Sequence, residues 1–326
     1  MHESGTQTRP LRRPTGRPQD ERASAIVLRG VSKRYGRRTA VDRLTIEVPA
    51  GVVAGLIGPN GAGKTTVMAM LLGLVRPTAG DGSVLGGPLG QPASYLHQVG
   101  ALIEGPAFYP HLTGRENLGL LATLGQDDPA EIPGLLELVG LTPRGDDRFR
   151  HYSMGMKQRL GIAAALLGDP ALLILDEPTN GLDPAGIHEM RDLIGTLARE
   201  DRTVLVSSHL LSEVEQICDW FIVIDEGRVV FQGPAALLLG EEDRLVAAPE
   251  QPADLPRLVG LLKDRGHQVR VGPRDLAVPV GDAEPVALAA ALNRAAMQEG
   301  IVLAELHRSR ADLESRYLSL IGKDES

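Results

Sequence analysis

The chain has 326 residues, 43% hydrophobic and 23% charged, with 42 acidic against 34 basic side chains and a formal net charge of -8. This mix can bury a core and excludes disorder throughout, while the acidic balance argues against a general nucleic-acid binder, so no nucleic-acid partner is expected. A single cysteine, Cys218, excludes an intrachain disulfide framework or a cysteine metal cluster.

Residues 1–24, rich in Pro, Arg, Thr and Gly, lack the apolar core of a secretory signal and read as a disordered, mildly basic arm. Residues 26–35 and 44–48 alternate as strands of an antiparallel edge, and 52–58, VVAGLIG, reads as a buried strand leading into GPNGAGKTT and an apolar helix at 66–75. Helices are expected around Glu116 to Leu124, Ala130 to Val139 and Lys157 to Leu167. Residues 171–178, ALLILDEP, and 202–209, RTVLVSSH, are buried strands ending in polar groups. A hairpin spans 220–233 and turns at Asp225, Glu226 and Gly227.

Buried strands alternating with helices predict a mainly parallel sheet with helices on its faces, and active groups at the strands' carboxyl ends. Composition shifts near 239–250. The expected division is a large α/β domain at 25–240 and a small α+β domain at 241–326. The second part reads as strand 244–248, helix 253–266, strands 268–272 and 275–280, helix 285–299, strand 301–306 and helix 311–321, an order that suits a ferredoxin-like layer. The longest apolar runs, Ile162 to Leu167 and Val286 to Leu292, fall short of the roughly 18–20 residues that cross a hydrocarbon core.

Gly58-Pro59-Asn60-Gly61-Ala62-Gly63-Lys64-Thr65 matches G-x-x-x-x-G-K-[ST] between a predicted strand and a predicted helix, the context the motif requires, and Thr66 continues it. Its glycines let backbone N–H groups converge on phosphate oxygens at the positive end of the helix. Lys64 is expected to reach the β and γ phosphates and the Thr65 hydroxyl to ligate Mg²⁺. Asp176 and Glu177 end an apolar strand beside this loop. Adjacent strand residues point to opposite faces, which allows two roles: Asp176 as a Mg²⁺ partner and Glu177 as the general base for water.

The order GPNGAGKTT, SMGMKQRL (153–160), LLILDEP, GLD (181–183) and SSH (207–209) resembles the nucleotide-binding subunit of an ATP-binding cassette transporter over roughly residues 26–235. The resemblance implies a P-loop ATPase fold with a mainly parallel sheet, an antiparallel edge and a helical subdomain. It implies that Tyr35 stacks on adenine, that His209 contacts the γ phosphate as part of the catalytic set, and that Asp183 belongs to the loop linking two active sites. Ser153 and Gly155 correspond to the signature segment that caps ATP held by the opposite subunit. Tyr152, Met154 and Met156 depart from the usual Leu, Gly and Gln, which bears on affinity and rate.

Glu104, in LIEGPAFYP (102–110), stands where the family usually has glutamine. As a carboxylate it would bind Mg²⁺ more strongly and repel the γ phosphate without the metal. With EGPAFYPHLTGREN (104–117) it resembles the bacitracin and lantibiotic self-protection branch. Phe108 and Tyr109, conspicuous in a chain with 3% aromatic residues, are either anchors for a membrane partner or local packing. The expected function is ATP hydrolysis, with ATP and Mg²⁺, driving export of an antibiotic peptide or drug-like amphiphile. Partners are a second copy of the chain, because one phosphate loop and one signature make half of each composite site, and a separate membrane permease that would hold the chain on the inner face of the cell membrane. Alternatives are a lipid or polysaccharide exporter ATPase and a soluble regulatory cassette protein, although the latter usually carries two cassettes in one chain.

Overall fold

A computed structural model describes residues 23–105, 107–198, 202–209, 214–239, 244–281 and 283–309. Most of the expected N-terminal arm and the expected helix at 311–321 lie outside the described residues. Strands β1 (Ser24–Tyr35), β2 (Arg38–Pro49), β4 (Ala79–Val84) and β5 (Gly87–Pro88) form an antiparallel sheet in the order β2-β1-β4-β5. The first two strands are therefore a sheet of their own. The antiparallel edge of the parallel sheet is β10 (Arg228–Pro234), hairpin partner of β9 (Trp220–Asp225).

The central sheet runs β10-β9-β3-β8-β7-β6, with β3 (Val53–Ile57), β6 (Val99–Leu102), β7 (Leu172–Leu175) and β8 (Thr203–Ser208). All pairs except β9–β10 are parallel. Strands β3, β7 and β8 are buried along their whole length, which is why their sequences are continuous apolar runs. Successive residues serve two cores. Val53, Ile57, Leu173, Leu175, Val204 and Val206 pack with one cluster; Ala54, Leu56, Leu172, Ile174 and Leu205 pack with the other.

The first cluster draws on helices α2 (Gly114–Gly125), α3 (Ile132–Leu138), α4 (Met154–Ala165) and α5 (Pro184–Leu197). The second is built from β1, β2 and α1 (Lys64–Leu71). Caps set two of these helix starts. Thr113 and Glu116 form a reciprocal capping box, so α2 begins at Gly114 rather than at Glu116, and the Ser153 hydroxyl accepts from Met156 N, so α4 begins at Met154 rather than at Lys157. Helix α5 follows Asp183, whose side chain accepts from Gly186 N.

Helix α6 (Ala235–Leu239) precedes a third sheet of β11 (Arg244–Pro249), β12 (Arg270–Val271), β13 (Leu276–Pro279) and β14 (Leu303–Ser309), ordered β12-β13-β11-β14 with every pair antiparallel. Helices α7 (Leu255–Asp264) and α8 (Pro285–Gln298) share a separate core with it, including Leu245, Leu258, Leu276 and Leu292. The β-α-β-β-α-β order and this strand order are those of a ferredoxin-like layer.

Candidate active site

The loop after β3 returns to the sheet as α1, and its path is set by close approach to two neighbours. A Cβ on Gly58 would stand 2.2 Å from the Ile224 carbonyl oxygen, and one on Gly63 would stand 2.5 Å from that of Ala40. Gly63 also has φ 106, a conformation L side chains rarely adopt. Gly227, at the tip of the β9–β10 hairpin, donates its N–H to the Ala62 carbonyl at 3.0 Å. The phosphate-type loop is thus held between β2 and the hairpin.

Strands β3, β8 and β7 are neighbours, so their carboxyl ends gather at this loop. Register carries the pairing further. Leu175 lies opposite Val206, so the next residues, Asp176 and Ser207, meet on the face that packs against α1. Asp176 is 8% exposed, and its carboxylate accepts from Thr65 Oγ1 at 3.0 Å and Ser207 Oγ at 2.5 Å. Ser207, fully buried, also accepts from Glu177 N at 2.9 Å.

Strand β7 ends at Leu175, short of the expected 178, so Glu177 does not lie on a strand face. Its φ of 48 turns the chain out of the sheet. This is a strained conformation for a residue with a Cβ, of the kind that persists where surrounding contacts over-determine it. The turned carboxylate lies 3.3 Å from Lys64 Nζ and 2.7 Å from His209 Nδ1. Lys64 in turn donates to the Gly58 carbonyl at 2.7 Å.

Beside these groups is a cleft of about 610 Å³ lined by Tyr35, Arg38, Ala40, Pro59, Asn60, Gly61, Gly63, Lys64, Thr65, Thr66, Glu177, Asn180 and His209. Tyr35 is 49% exposed, with Lys33 Nζ 5.0 Å from the centre of its ring. The cleft therefore offers a flat aromatic at one end and a phosphate cradle at the other. A carboxylate between a lysine and a histidine lies beside that cradle.

A second groove, of about 460 Å³, is lined by Ser153, Met154, Gly155, Met156, Arg159, Leu182, Asp183 and Glu189, among others, and shares no lining residue with the cleft. The short loop from Asn180 to Asp183 reaches both. Asn180 N donates to the Glu177 carbonyl at 3.0 Å, and Asp183 lines the groove. Glu104 is exposed, two residues beyond β6, with φ 57, and does not line the cleft. It leaves the sheet beside β7, where Asp176 N donates to the Leu102 carbonyl at 2.8 Å. Phe108 packs edge-on against Phe149 at 5.1 Å, whereas Tyr109 is 63% exposed.

Residues 41–180 match the family model described as ABC transporter. The chain is also 37% identical, over 92% of its length and 97% of the relative's, to the ABC transporter ATP-binding protein YhcH of Bacillus subtilis. This chain belongs to the ABC transporter ATP-binding protein family. Within it, the chain is 38% identical to the bacitracin transport ATP-binding protein BcrA of Bacillus licheniformis, covering 90% of this chain and 95% of that protein. It is 42% identical to the lantibiotic transport ATP-binding protein SrtF of Streptococcus pyogenes, over 64% of this chain and 90% of that one. A solved ATP-binding subunit of an ABC transporter superposes with a TM-score of 0.59 at 33% identity, covering 66% of this chain and 91% of its own. The ABC ATP-binding protein thus resembles the branch expected from EGPAFYPHLTGREN. Its fold is the expected α/β ATPase with an additional C-terminal α+β layer.

Ser207, Asn180 and Arg38 are the residues of this site that reading the sequence did not assign. Ser207 lies within the SSH segment, and its place beside Asp176 follows from the register of two adjacent strands. For Arg38 the signal was its place three residues after Tyr35 on a hairpin.

Proposed function

We propose that the chain hydrolyses ATP to power efflux of an antibiotic peptide or drug-like amphiphile through a separate membrane permease. The observation that carries the ATPase reading is the convergence of Lys64, Thr65, Asp176, Glu177 and His209 at the carboxyl ends of three neighbouring strands. Tyr35 takes the adenine. The loop from Gly58 to Thr66 takes the phosphates, and Lys64 leaves Glu177 to meet them.

The donor set fits Mg²⁺. Thr65 and Asp176 offer hard oxygen ligands 3.0 Å apart, and no cluster of three or more His, Cys, Asp or Glu side chains occurs among the described residues. That is what a cation sharing its shell with substrate phosphates and water requires. When bound there it would neutralise charge on the phosphates. Asp176, oriented by two hydroxyls, would hold it. Glu177 accepts a proton from the attacking water, and His209, against the Glu177 carboxylate, steers it toward the γ phosphate. Glu104, at the end of the neighbouring strand, is the proposed further oxygen ligand.

The disjoint lining of cleft and groove supports a two-copy assembly in which Ser153 and Gly155 of one copy cap the ATP of the other and Asp183 links the sites. No helix among the described residues is long and apolar enough to cross a membrane, so export requires the permease as a partner. The names of BcrA and SrtF support the antibiotic class of substrate. The proposed domains are 25–240 for the ATPase and 241–326 for the accessory unit, with 1–24 an arm.

ATPase activity across a Mg²⁺ titration, with and without a candidate permease in lipid, tests this reading. Glu177→Gln is expected to lower kcat by about 10²-fold or more, and Glu104→Gln to shift the Mg²⁺ midpoint upward. Full turnover in Glu177→Gln rules out the general base. A Glu104→Gln effect confined to permease stimulation makes that residue a coupling element and not a ligand.

A further inference from the structure

Arg38 is the cleft residue for which the proposed chemistry leaves no task. Tyr35 and Arg38 are the last register pair of the β1–β2 hairpin, separated only by Gly36 and Arg37. Cross-strand partners project from the same face, and both side chains line the cleft. The hairpin is pressed on the phosphate loop at Gly63, where the Ala40 carbonyl leaves no room for a Cβ. The guanidinium therefore overhangs the loop: Arg38 Nη2 is 3.8 Å from where a Cβ on Gly61 would stand.

The charges around it point to an anion. Lys64 is engaged by the Gly58 carbonyl and by Glu177. Glu177 is engaged by Lys64 and His209. The Arg38 side chain makes no hydrogen bond or ion pair with the described residues, whereas neighbouring Lys33 donates to the Arg76 carbonyl and Arg43 pairs with Asp42. An exposed, always-charged fork between an aromatic platform and a phosphate cradle matches phosphate oxygens in charge and geometry. A purine edge offers no such charge.

We propose, on the reading of this cleft as the ATP site, that Arg38 is a second phosphate-binding cation. It donates to the di- or triphosphate chain from the hairpin side, opposite Lys64, and sets affinity for phosphorylated nucleotides. It strengthens binding without taking part in bond cleavage, so it acts on KM and not on kcat.

The test is calorimetric titration of the full chain with Mg²⁺ and ADP or adenylyl imidodiphosphate, with adenosine measured by competition. Arg38→Met is expected to weaken both phosphorylated ligands about tenfold, the scale of one charge-assisted hydrogen bond, and to leave adenosine within twofold. Arg38→Lys keeps the charge but loses the fork and recovers part of the affinity. In ATPase assays KM rises about tenfold in Arg38→Met and kcat stays within twofold. ADP affinity within twofold of the parent chain overturns the proposal. Equal loss of adenosine and ADP also overturns it, since the residue would then merely support the Tyr35 platform. Lys64→Met separates the two levels of inference. If it abolishes imidodiphosphate binding while Arg38→Met has no effect, the cleft stands and Arg38 is not a ligand. If it retains binding, the cleft reading fails and the Arg38 proposal fails with it.

Discussion

Ser207 shows how a side chain without charge organises the site. Its hydroxyl donates to Asp176 and accepts from Glu177 N, so one buried atom sets the rotamer of one carboxylate and the backbone turn that aims the other. Ser207→Ala leaves the Glu177 N–H without that acceptor in a half-buried place, with an expected cost of about 1 kcal/mol in stability. It also frees both carboxylates, and kcat is expected to fall at least tenfold with little change in ADP affinity. Thermal unfolding and ATPase assays on the same preparation check both. Neither Ser207 nor the turn at Glu177 could be read from a motif, because adjacency across β7 and β8 is a property of register.

At the scale of elements, the loop that carries Glu104 owes its shape to a helix. Asn117, buried on α2, accepts from Tyr109 N at 2.9 Å and donates to the carbonyls of Tyr109 at 3.1 Å and Thr113 at 2.9 Å. This single amide fastens the segment between β6 and α2, with Phe108 turned in against Phe149 and Tyr109 out to solvent. Asn117→Leu leaves the Tyr109 N–H without its acceptor, while the Tyr109 and Thr113 carbonyls keep the N–H groups of Leu112 and Asn117. The substitution is expected to lower stability by about 1–3 kcal/mol for the group left unpaired and to depress permease-stimulated turnover more than basal turnover, as read by denaturation and by paired assays with and without permease. Helices and buried strands were legible where apolar residues kept a period or a continuous run. The strand Ala79–Val84, AGDGSV, has neither, and it forms because β1 offers it an edge.

For the whole molecule, the cleft at the phosphate loop and the groove at Ser153 share no lining residue, which in the proposed reading supports a two-fold assembly closed by ATP. Glu177→Gln, which blocks hydrolysis in this reading, is expected to elute as a dimer with Mg²⁺ and ATP and as a monomer with ADP in size-exclusion chromatography with light scattering. A monomer under both conditions removes the composite site. The buried strands β3, β7 and β8, the phosphate loop and the two acids that follow β7 were determined by the sequence itself, because each is a local pattern: apolar runs for buried strands, glycines where the backbone turns tightly, polar groups where a strand ends. Tertiary structure alone decided that β1 and β2 leave the parallel sheet, that β3, β8 and β7 stand side by side, and that Arg38 overhangs Gly61. Those are contacts between residues far apart in the chain, 166 positions for Gly58 and Ile224 and 113 for Lys64 and Glu177. They are settled by how two apolar clusters share one sheet, and no local pattern in the chain encodes that choice.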